Sequence, residues 1–551
     1  MAFDLDSARA LAGKVKLGSL GALPDLPFNL KTLADAGVIR PIRPDKLARV
    51  GRELRRWGAS PAAGIAAAVV TRGDETMMID ENGSLSFADV QRRSNALARS
   101  LRSEGVKEGD GVAIMARNHR GFVEATLAIS KLGANGLYMN TAFSGPQLAD
   151  VMEREGPAAL IYDEEFTDLL GEAKEETRHY VSWGEEGNSS DTTTEQLIEA
   201  GAGGDLDPPD ESSRFIILTS GTTGTPKGAQ RSSPDTLAPL AALFARIPLK
   251  SHEKTMIAAP LFHSWGFAHF SLGLALNSTY VLQRKFDPEA TLKAIEDHGA
   301  TALVVVPVMM QRILQLDEET LSKYDLPSLR VTAASGSALP GPLATKWMDH
   351  FGDNLYNLYG STEVAWATIA TPEDLRAAPG TAGKPPRGTV VKIVDSESKG
   401  EVAEGDTGRV FVGNEMKFEG YTGGGGKDEY EGLLSSGDVG HFDDEGRLFI
   451  DGRDDEMIVS GGENVFPREV EDLLAGHEAV KEVAVIGVDD EEWGQRLKAF
   501  VVLGDGASLD HDEIKAYVKK NLAGYKVPRE TEILDSLPRN ATGKVLKREL
   551  T

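Results

Sequence analysis

No cysteine occurs anywhere in this chain of 551 residues. Disulfides, thiolate metal sites and cysteine nucleophiles are thereby excluded, and any thiol chemistry must use a thiol that arrives with a substrate. Basic residues are in deficit as well: 59 Lys and Arg stand against 85 Asp and Glu, a formal charge of −26. A surface of that sign repels phosphate backbones, so no nucleic acid is expected as a partner, and charge alone will not dock it on an anionic membrane. The acidity is read as solubility. Long apolar runs are missing too. The longest, near Ala62 to Val70 and Ala302 to Met310, extend for about ten residues, where a bilayer helix needs roughly twenty. Met1 to Lys14 carries Asp4 and Asp6 in place of the basic start and apolar core of a signal peptide. A soluble, cytoplasmic protein without stable membrane insertion is expected.

What is present is ordinary globular material, 41% hydrophobic and 26% charged, in a chain too long for one core. Residues 1–60 look like an N-terminal extension, interrupted by Pro24, Pro27, Pro41 and Pro44. Its basic stretch, Arg40 to Arg56, is expected to be a helix packed on its own domain. From Thr76 onward short apolar runs alternate with helical stretches. Val112 to Met115, Ala159 to Tyr162, Phe215 to Leu218, Thr255 to Ala258 and Leu303 to Val306 read as buried strands, with helices at Phe87 to Glu104 and Glu289 to His298. That alternation predicts parallel strands covered by helices. After Gly388 the texture turns to strands and glycine turns (Val390 to Val394, Arg409 to Val412, Arg447 to Ile450), a β-rich subdomain. Tyr421 to Lys427, with its run of glycines, reads as a surface turn. Beyond Gly452 a helix opens at Pro467, followed by strands Val483 to Val488 and Lys498 to Leu503 and a helix around Glu513 to Asn521. The fold class expected is α/β. A large multi-subdomain domain over residues 61–453 precedes a small α+β domain over 454–551.

The strongest local signal runs from Leu218 to Gly228: Leu-Thr-Ser-Gly-Thr-Thr-Gly-Thr-Pro-Lys-Gly. A buried strand enters a stretch where Gly221 and Gly224 let backbone N–H groups turn inward as an anion nest. The hydroxyls of Thr219, Ser220, Thr222 and Thr223 add donors, and Lys227 adds a point charge. It is not a Walker A loop, because Pro226 stands where the second glycine should fall.

The segment resembles the signature loop of the adenylate-forming superfamily, which includes acyl-CoA synthetases, luciferases and the adenylation domains of peptide synthetases. Further segments match in the family's order from roughly Leu85 to Lys547. The resemblance implies ATP, Mg²⁺ and coenzyme A as ligands and a carboxylic acid as substrate. Tyr359-Gly360-Ser361-Thr362-Glu363 resembles the nucleotide motif: an aromatic face for adenine, a hydroxyl for the α-phosphate and Glu363 for the metal. Asn357, Gly336, Ser337 and Ala338 fall on the nucleotide side, and so does Ile450. Asp438 would accept from the ribose hydroxyls and Arg453 would hold ribose or phosphate. The acyl pocket implied comprises His263, Trp265, Gly266, Phe267, Val308, Ala334, Gly336 and Trp366, with His263 as a gate. Asp455 matches the hinge, and Ser460, Gly461, Gly462 and Glu463 match the loop on the coenzyme A tunnel. Lys544, in Pro538 to Lys544, aligns with the catalytic lysine; Thr219, Lys227, Glu363 and Lys544 form the catalytic set.

A carboxylate is a poor electrophile until its oxygen displaces pyrophosphate from ATP, so the work implied is positioning and charge neutralisation. With no protein thiol, coenzyme A brings its own. The general look is similar to bacterial medium- and long-chain fatty acyl-CoA synthetases, so a fatty acid is expected. Gly266, Ala333, Ala334 and Gly336 would leave an apolar channel that Trp265, Phe267 and Trp366 would shorten. The alternatives are an aryl-acid CoA ligase and an acyl-AMP ligase loading a carrier protein. The chain ends at Thr551, soon after Lys544, so no fused carrier is expected. A catalytically dead binding protein is disfavoured by Lys227, Glu363 and Lys544 together. Relatives are often dimers, which makes a homodimer the assembly the resemblance suggests.

Overall fold

Short β-branched runs followed by capped helices make most of this chain. The computed structural model describes residues 25–175, 177–184, 191–201, 203–219, 227–231, 236–395, 400–416, 418–421, 426–460, 463–490, 494–504, 506–540 and 543–550. They fall into two compact units. The first comprises Met1–Val305, Leu316–Thr332 and Glu415–Gly426; the second comprises Val306–Gln315, Ala333–Asn414 and Lys427–Thr551.

The first unit holds a seven-stranded sheet. Arg178–Trp183, Ala159–Asp163, Gly111–Met115, Asn135–Tyr138 and Phe215–Thr219 pair in parallel in that order, and Lys227–Arg231 and Phe418–Tyr421 add an antiparallel edge. Met115, Leu137, Leu160 and Tyr162 lie in one buried cluster on this sheet. A second run of strands follows the order Ala302–Val305, Lys254–Ile257, Thr279–Leu282 and Thr76–Asp80, again parallel, with Gly83–Ser86 turned back as a hairpin. Local chemistry sets the helix ends. Ser86 and Asp89 form a capping box on Phe87–Ser103. Asp287 caps Pro288–His298, which stops at Gly299 in the left-handed region, φ 60°. The basic N-terminal stretch is the helix Pro44–Trp57, packed by its buried Trp57 and by Arg56, which donates to Leu206 O at 2.5 Å.

In the second unit Val390–Val394, Gly408–Gly413, Leu433–Phe442 and Leu448–Arg453 pair antiparallel. They close on Val364, Ala367, Val410, Val412 and Leu448. Further along, Ile458–Ser460, Glu463–Val465, Val480–Asp490 and Gly494–Leu503 form another sheet, with Glu530–Ile533 parallel to Gly494–Leu503. Helices Pro467–Ala475 and His511–Asn521 bury Val470, Leu474, Ile514 and Val518 against it.

Every strand and helix read from the sequence is present, most within a residue or two of its expected ends. Two segments differ. Tyr421 is not in a turn: it ends the strand Phe418–Tyr421, which pairs with Lys227–Arg231, while residues 422–425 lie outside the described residues. The strand expected to stop at Ile450 continues to Arg453, because its partner strand also carries on to Asp438, and the register sets Asp438 opposite Arg453.

Candidate functional site

That register builds the best-defined part of the site. Strand Leu433–Phe442 bends at Gly437, φ 82°, a left-handed position that favours glycine. The Ser435 and Ser436 hydroxyls accept from the Gly437 and Asp438 amides, each at 3.1 Å. Asp438 thus points one carboxylate oxygen at the Tyr359 hydroxyl, 2.5 Å away, and the other toward Arg453 Nη1 at 3.5 Å. Tyr359 ends strand Leu355–Tyr359, and its hydroxyl oxygen is also 3.1 Å from Ser436 Oγ. Burial pushes the Asp438 carboxyl above its ordinary range, opposed by Arg453, the Tyr359 hydrogen bond, Lys544 and Arg468. Burial, and then the Asp438 charge, pushes the Tyr359 phenol well up, so it stays a donor. Two residues before Tyr359, the side-chain carbonyl of Asn357 is buried with no partner among the described residues.

The turn after Tyr359 is tight. A Cβ on Gly360 would meet the Ala365 carbonyl at 2.1 Å, and Ala365 itself sits at φ 63°. Ser361 Oγ donates to Glu363 Oε2 at 2.8 Å and accepts from the Glu363 amide at 3.2 Å, which fixes the carboxylate over its own turn. Thr362 lies between them, and Trp366 Nε1 donates to Thr389 Oγ1 at 3.1 Å. Ile450 pairs with Gly440 on the strand that ends at Arg453. Arg453 Nε donates to Asp455 Oδ1 at 3.1 Å, and Asp455 occupies a 3₁₀ turn, Asp454–Glu456. Ion pairs flank that turn: Arg409 lies between Asp428 at 2.7 Å and Asp454 at 2.8 Å, and Lys547 lies 2.9 Å from both Glu456 and Glu471.

Lys544 is exposed on a built loop. Its amide donates to Asn540 Oδ1 at 2.9 Å, the Asn540 amide returns to Lys544 O at 2.9 Å, and Arg539 holds Gly543 O at 2.6 Å while pairing with Glu482. Gly543 has φ 79°, and a Cβ there would lie 2.2 Å from Val308 Cγ1. Gly336, φ 93°, approaches Val306 in the same way, at 3.2 Å. The second unit therefore gathers Tyr359, Asp438, Arg453, Asp455 and Lys544, with Val308 and Gly336 beside the Lys544 loop. Ala334 is fully buried at the end of strand Val331–Ala334; Ser337 and Ala338 follow Gly336 in the turn after it.

The segment expected to line the acyl pocket belongs to the first unit. Asn118, buried, donates to Ile257 O at 3.1 Å and Ala259 O at 2.9 Å and accepts from the Leu261 amide at 2.8 Å, pinning the chain before His263. Helix Ser264–Leu276 then starts. Trp265 is buried, its Nε1 donating to Val305 O at 3.1 Å. Phe267 stands 5.0 Å from Tyr138 and 5.4 Å from Phe215, ring centre to ring centre. Gly266 is small for a reason other than an open channel: a Cβ there would meet Pro260 O at 2.2 Å. Burial pushes His263 down to about 4, leaving it neutral, and its Nδ1 has no partner among the described residues.

Of the phosphate loop, Thr219 and Lys227 face each other in register where Phe215–Thr219 meets Lys227–Arg231. Ser220, Gly221, Thr222, Thr223 and Gly224 lie between them, outside the described residues. Likewise Ser460 and Glu463 pair across a hairpin whose Gly461 and Gly462 lie outside them. Among the described residues no three His, Cys, Asp or Glu side chains assemble as a metal site. A single anchored carboxylate such as Glu363 nonetheless fits Mg²⁺, which is held by one or two carboxylates plus substrate phosphates.

Asn118 and Arg468 carry no motif and escaped the sequence reading. Ser436, beside Asp438, and Arg539, inside Pro538 to Lys544, stood next to signals but were given no role. Arg468, at the start of helix Pro467–Ala475, is felt electrically by Asp438.

The sequence model of the AMP-binding enzyme family matches residues 65–422, and that of the AMP-binding enzyme C-terminal domain matches residues 469–544. The chain belongs to the AMP-binding enzyme family. Among its relatives is a feruloyl-CoA synthase of Amycolatopsis sp, 33% identical over 85% of this chain and 93% of the relative. Among solved structures it is similar to o-succinylbenzoate CoA synthetase from Bacillus subtilis in complex with its acyl-adenylate, with TM-score 0.77 and 27% identity over 89% of this chain and 97% of that one. An anthranilate CoA ligase in complex with anthranoyl-AMP gives TM-score 0.79 and 25% identity over 89% and 96%. The ligase has the α/β fold of these enzymes, a large N-terminal domain with parallel sheets and a smaller C-terminal one. Its reaction is that of an AMP-forming acid–thiol ligase: ATP activates an acid as acyl-AMP, and coenzyme A takes the acyl group.

Proposed function

We propose that the acid is a ring-bearing, aromatic carboxylic acid, and that the residues gathered above perform its adenylation. The observation that carries the substrate reading is the aromatic density around the segment expected to line the acyl pocket, where Trp265 is buried and Phe267 packs with Tyr138 and Phe215. Planar rings pack well among other rings. Relatives named for ferulate, o-succinylbenzoate and anthranilate support the same reading. They back an aryl acid over the fatty acid that the general look of the sequence suggested.

In the first step a carboxylate oxygen attacks the α-phosphorus of ATP; the acyl–phosphate bond forms as the bond to pyrophosphate breaks. Asn357 offers its unpaired side-chain carbonyl to a donor such as the adenine amino group, and Asp438 and Arg453 hold the ribose. Lys227, Lys544 and the loop hydroxyls answer the converging negative charge. Glu363 would hold Mg²⁺, which shields the triphosphate when bound. In the second step the coenzyme A sulfur attacks the acyl carbon and AMP leaves. Asp455 is the proposed pivot between the steps, Ser460 to Glu463 the proposed tunnel loop, and residues 61–453 and 454–551 the proposed rigid bodies. We take the ligase to act as a soluble enzyme, on free acids and free coenzyme A.

A panel of acids tests this by pyrophosphate release followed by thioester detection. Ferulate, o-succinylbenzoate, anthranilate and indoleacetate are compared with decanoate and palmitate. At least one ring acid should exceed both fatty acids by about tenfold or more in kcat/KM. Faster turnover of decanoate or palmitate overturns the reading.

A further inference from the structure

Helix Ser264–Leu276 and the residue before it carry three nitrogen-bearing rings, of which two have a buried nitrogen without a partner among the described residues. Trp265 Nε1 uses Val305 O. His263 Nδ1 and His269 Nε2 are enclosed with no hydrogen-bond partner among the described residues. His269 is 2% exposed, and it stands edge-on to Trp265 with ring centres 4.4 Å apart. Burial pushes it down to about 3, so it is neutral at any working pH.

A neutral imidazole has one N–H donor and one acceptor nitrogen. Enclosing either without a partner is costly, and folded chains keep such groups rarely. Two kinds of partner can repair the loss: a trapped water or a ligand. A trapped water needs two to four polar partners of its own. Here the adjoining ring, Trp265, has already committed its only N–H to Val305. The helix is also the one that opens with the segment proposed above to line the acyl pocket, so the acid is the ligand in reach of it.

We infer that His269 reads a hydrogen-bonding substituent on the acid, and that the preferred substrates are hydroxylated ring acids rather than bare ones. A hydroxyl suits the site because it donates and accepts, and so matches either imidazole tautomer. The inference rests on the ring-acid reading above for its substrate class. It is a claim about specificity: His269 positions and selects the acid and takes no part in bond making.

The test measures kcat/KM by pyrophosphate release for cinnamate and its 2-, 3- and 4-hydroxy derivatives, and for decanoate and 10-hydroxydecanoate. The ligase is compared with His269→Leu and with His269→Gln, which keeps a hydrogen-bonding side chain. One hydroxycinnamate should exceed cinnamate by about ten- to a hundredfold. His269→Leu should shrink that ratio to within about threefold by losing rate on the hydroxylated acid, while His269→Gln keeps part of it. No hydroxyl preference in the unaltered ligase, or the same preference in both variants, overturns the inference and leaves His269 a packing residue. If the aliphatic pair outruns every ring acid and its hydroxyl preference follows His269, the ring-acid reading falls and the role of His269 stands. Should His269→Leu fail to fold, melting-temperature shifts of the unaltered ligase with cinnamate and its hydroxy derivatives decide, and equal shifts overturn the inference.

Discussion

Tyr359 hands its hydroxyl hydrogen to Asp438 across 2.5 Å, so the aromatic face and the carboxylate proposed for the nucleotide are fixed by each other. Removing the hydroxyl in Tyr359→Phe leaves the ring in place and frees Asp438. Hydrogen bonds to charged groups contribute about 1.5–3 kcal/mol, so KM for ATP should rise roughly tenfold with a smaller change in kcat. Asp438→Asn should raise it further. ATP–pyrophosphate exchange at varied ATP measures both; an unaltered KM in Tyr359→Phe would detach the pair from nucleotide binding.

Lys544→Ala should lower adenylation by about a hundred- to a thousandfold, the loss of one pre-placed donor worth roughly 3–4 kcal/mol. Thioester formation from a supplied acyl-adenylate should persist, because that step does not build charge on the α-phosphate. Exchange at the normal rate would remove Lys544 from the mechanism.

Gly543→Ala tests the loop without touching the lysine. The residue sits at φ 79° and its added methyl would lie 2.2 Å from Val308 Cγ1. Both strain and collision displace Lys544, so exchange should fall about tenfold or more. A melting temperature within a few degrees of normal is expected, since the loop is at the surface. Gly543→Ala with Val308→Ala should recover part of the rate; no recovery would assign the effect to backbone strain alone.

Acid stability should depend on Glu165. Burial alone would raise its carboxyl, but hydrogen bonding and charge from Arg117 and Lys285 outweigh this and bring it from 4.5 to about 2. The native state therefore prefers the ionised form. Its contribution is present above about pH 4.5 and drains away as the pH falls toward about 2, on the order of 2 kcal/mol for a group only partly exposed. Thermal melts of the ligase and of Glu165→Gln should differ at pH 6, differ by about half as much at pH 3, and converge only as the pH approaches 2. A gap that stays constant would assign the stabilisation elsewhere.

The strands and the nucleotide motif were legible because their signals are local. Phe215 to Leu218 and Ala302–Val305 are unbroken apolar runs, and Tyr359 to Glu363 carries its chemistry in consecutive side chains. Asn118 was not legible: it acts on Ile257, Ala259 and Leu261, far along the chain, through contacts that leave no pattern around it. Arg468 reached Asp438 only once strands and helix were in place. Gly266 was legible as small, yet not why. A missing side chain looks the same in sequence whether it admits a substrate or a carbonyl, and here Pro260 O claims the room. The kind of acid was the least legible property, because it depends on which rings face one another across separate segments.

The turn Asp454–Glu456 is gripped from two sides by ions: Arg409 on Asp454, Lys547 on Glu456. Apolar packing would tighten such a joint in concentrated salt, whereas charge pairing near solvent slackens. Turning about the proposed pivot would therefore meet a brake that ionic strength can ease.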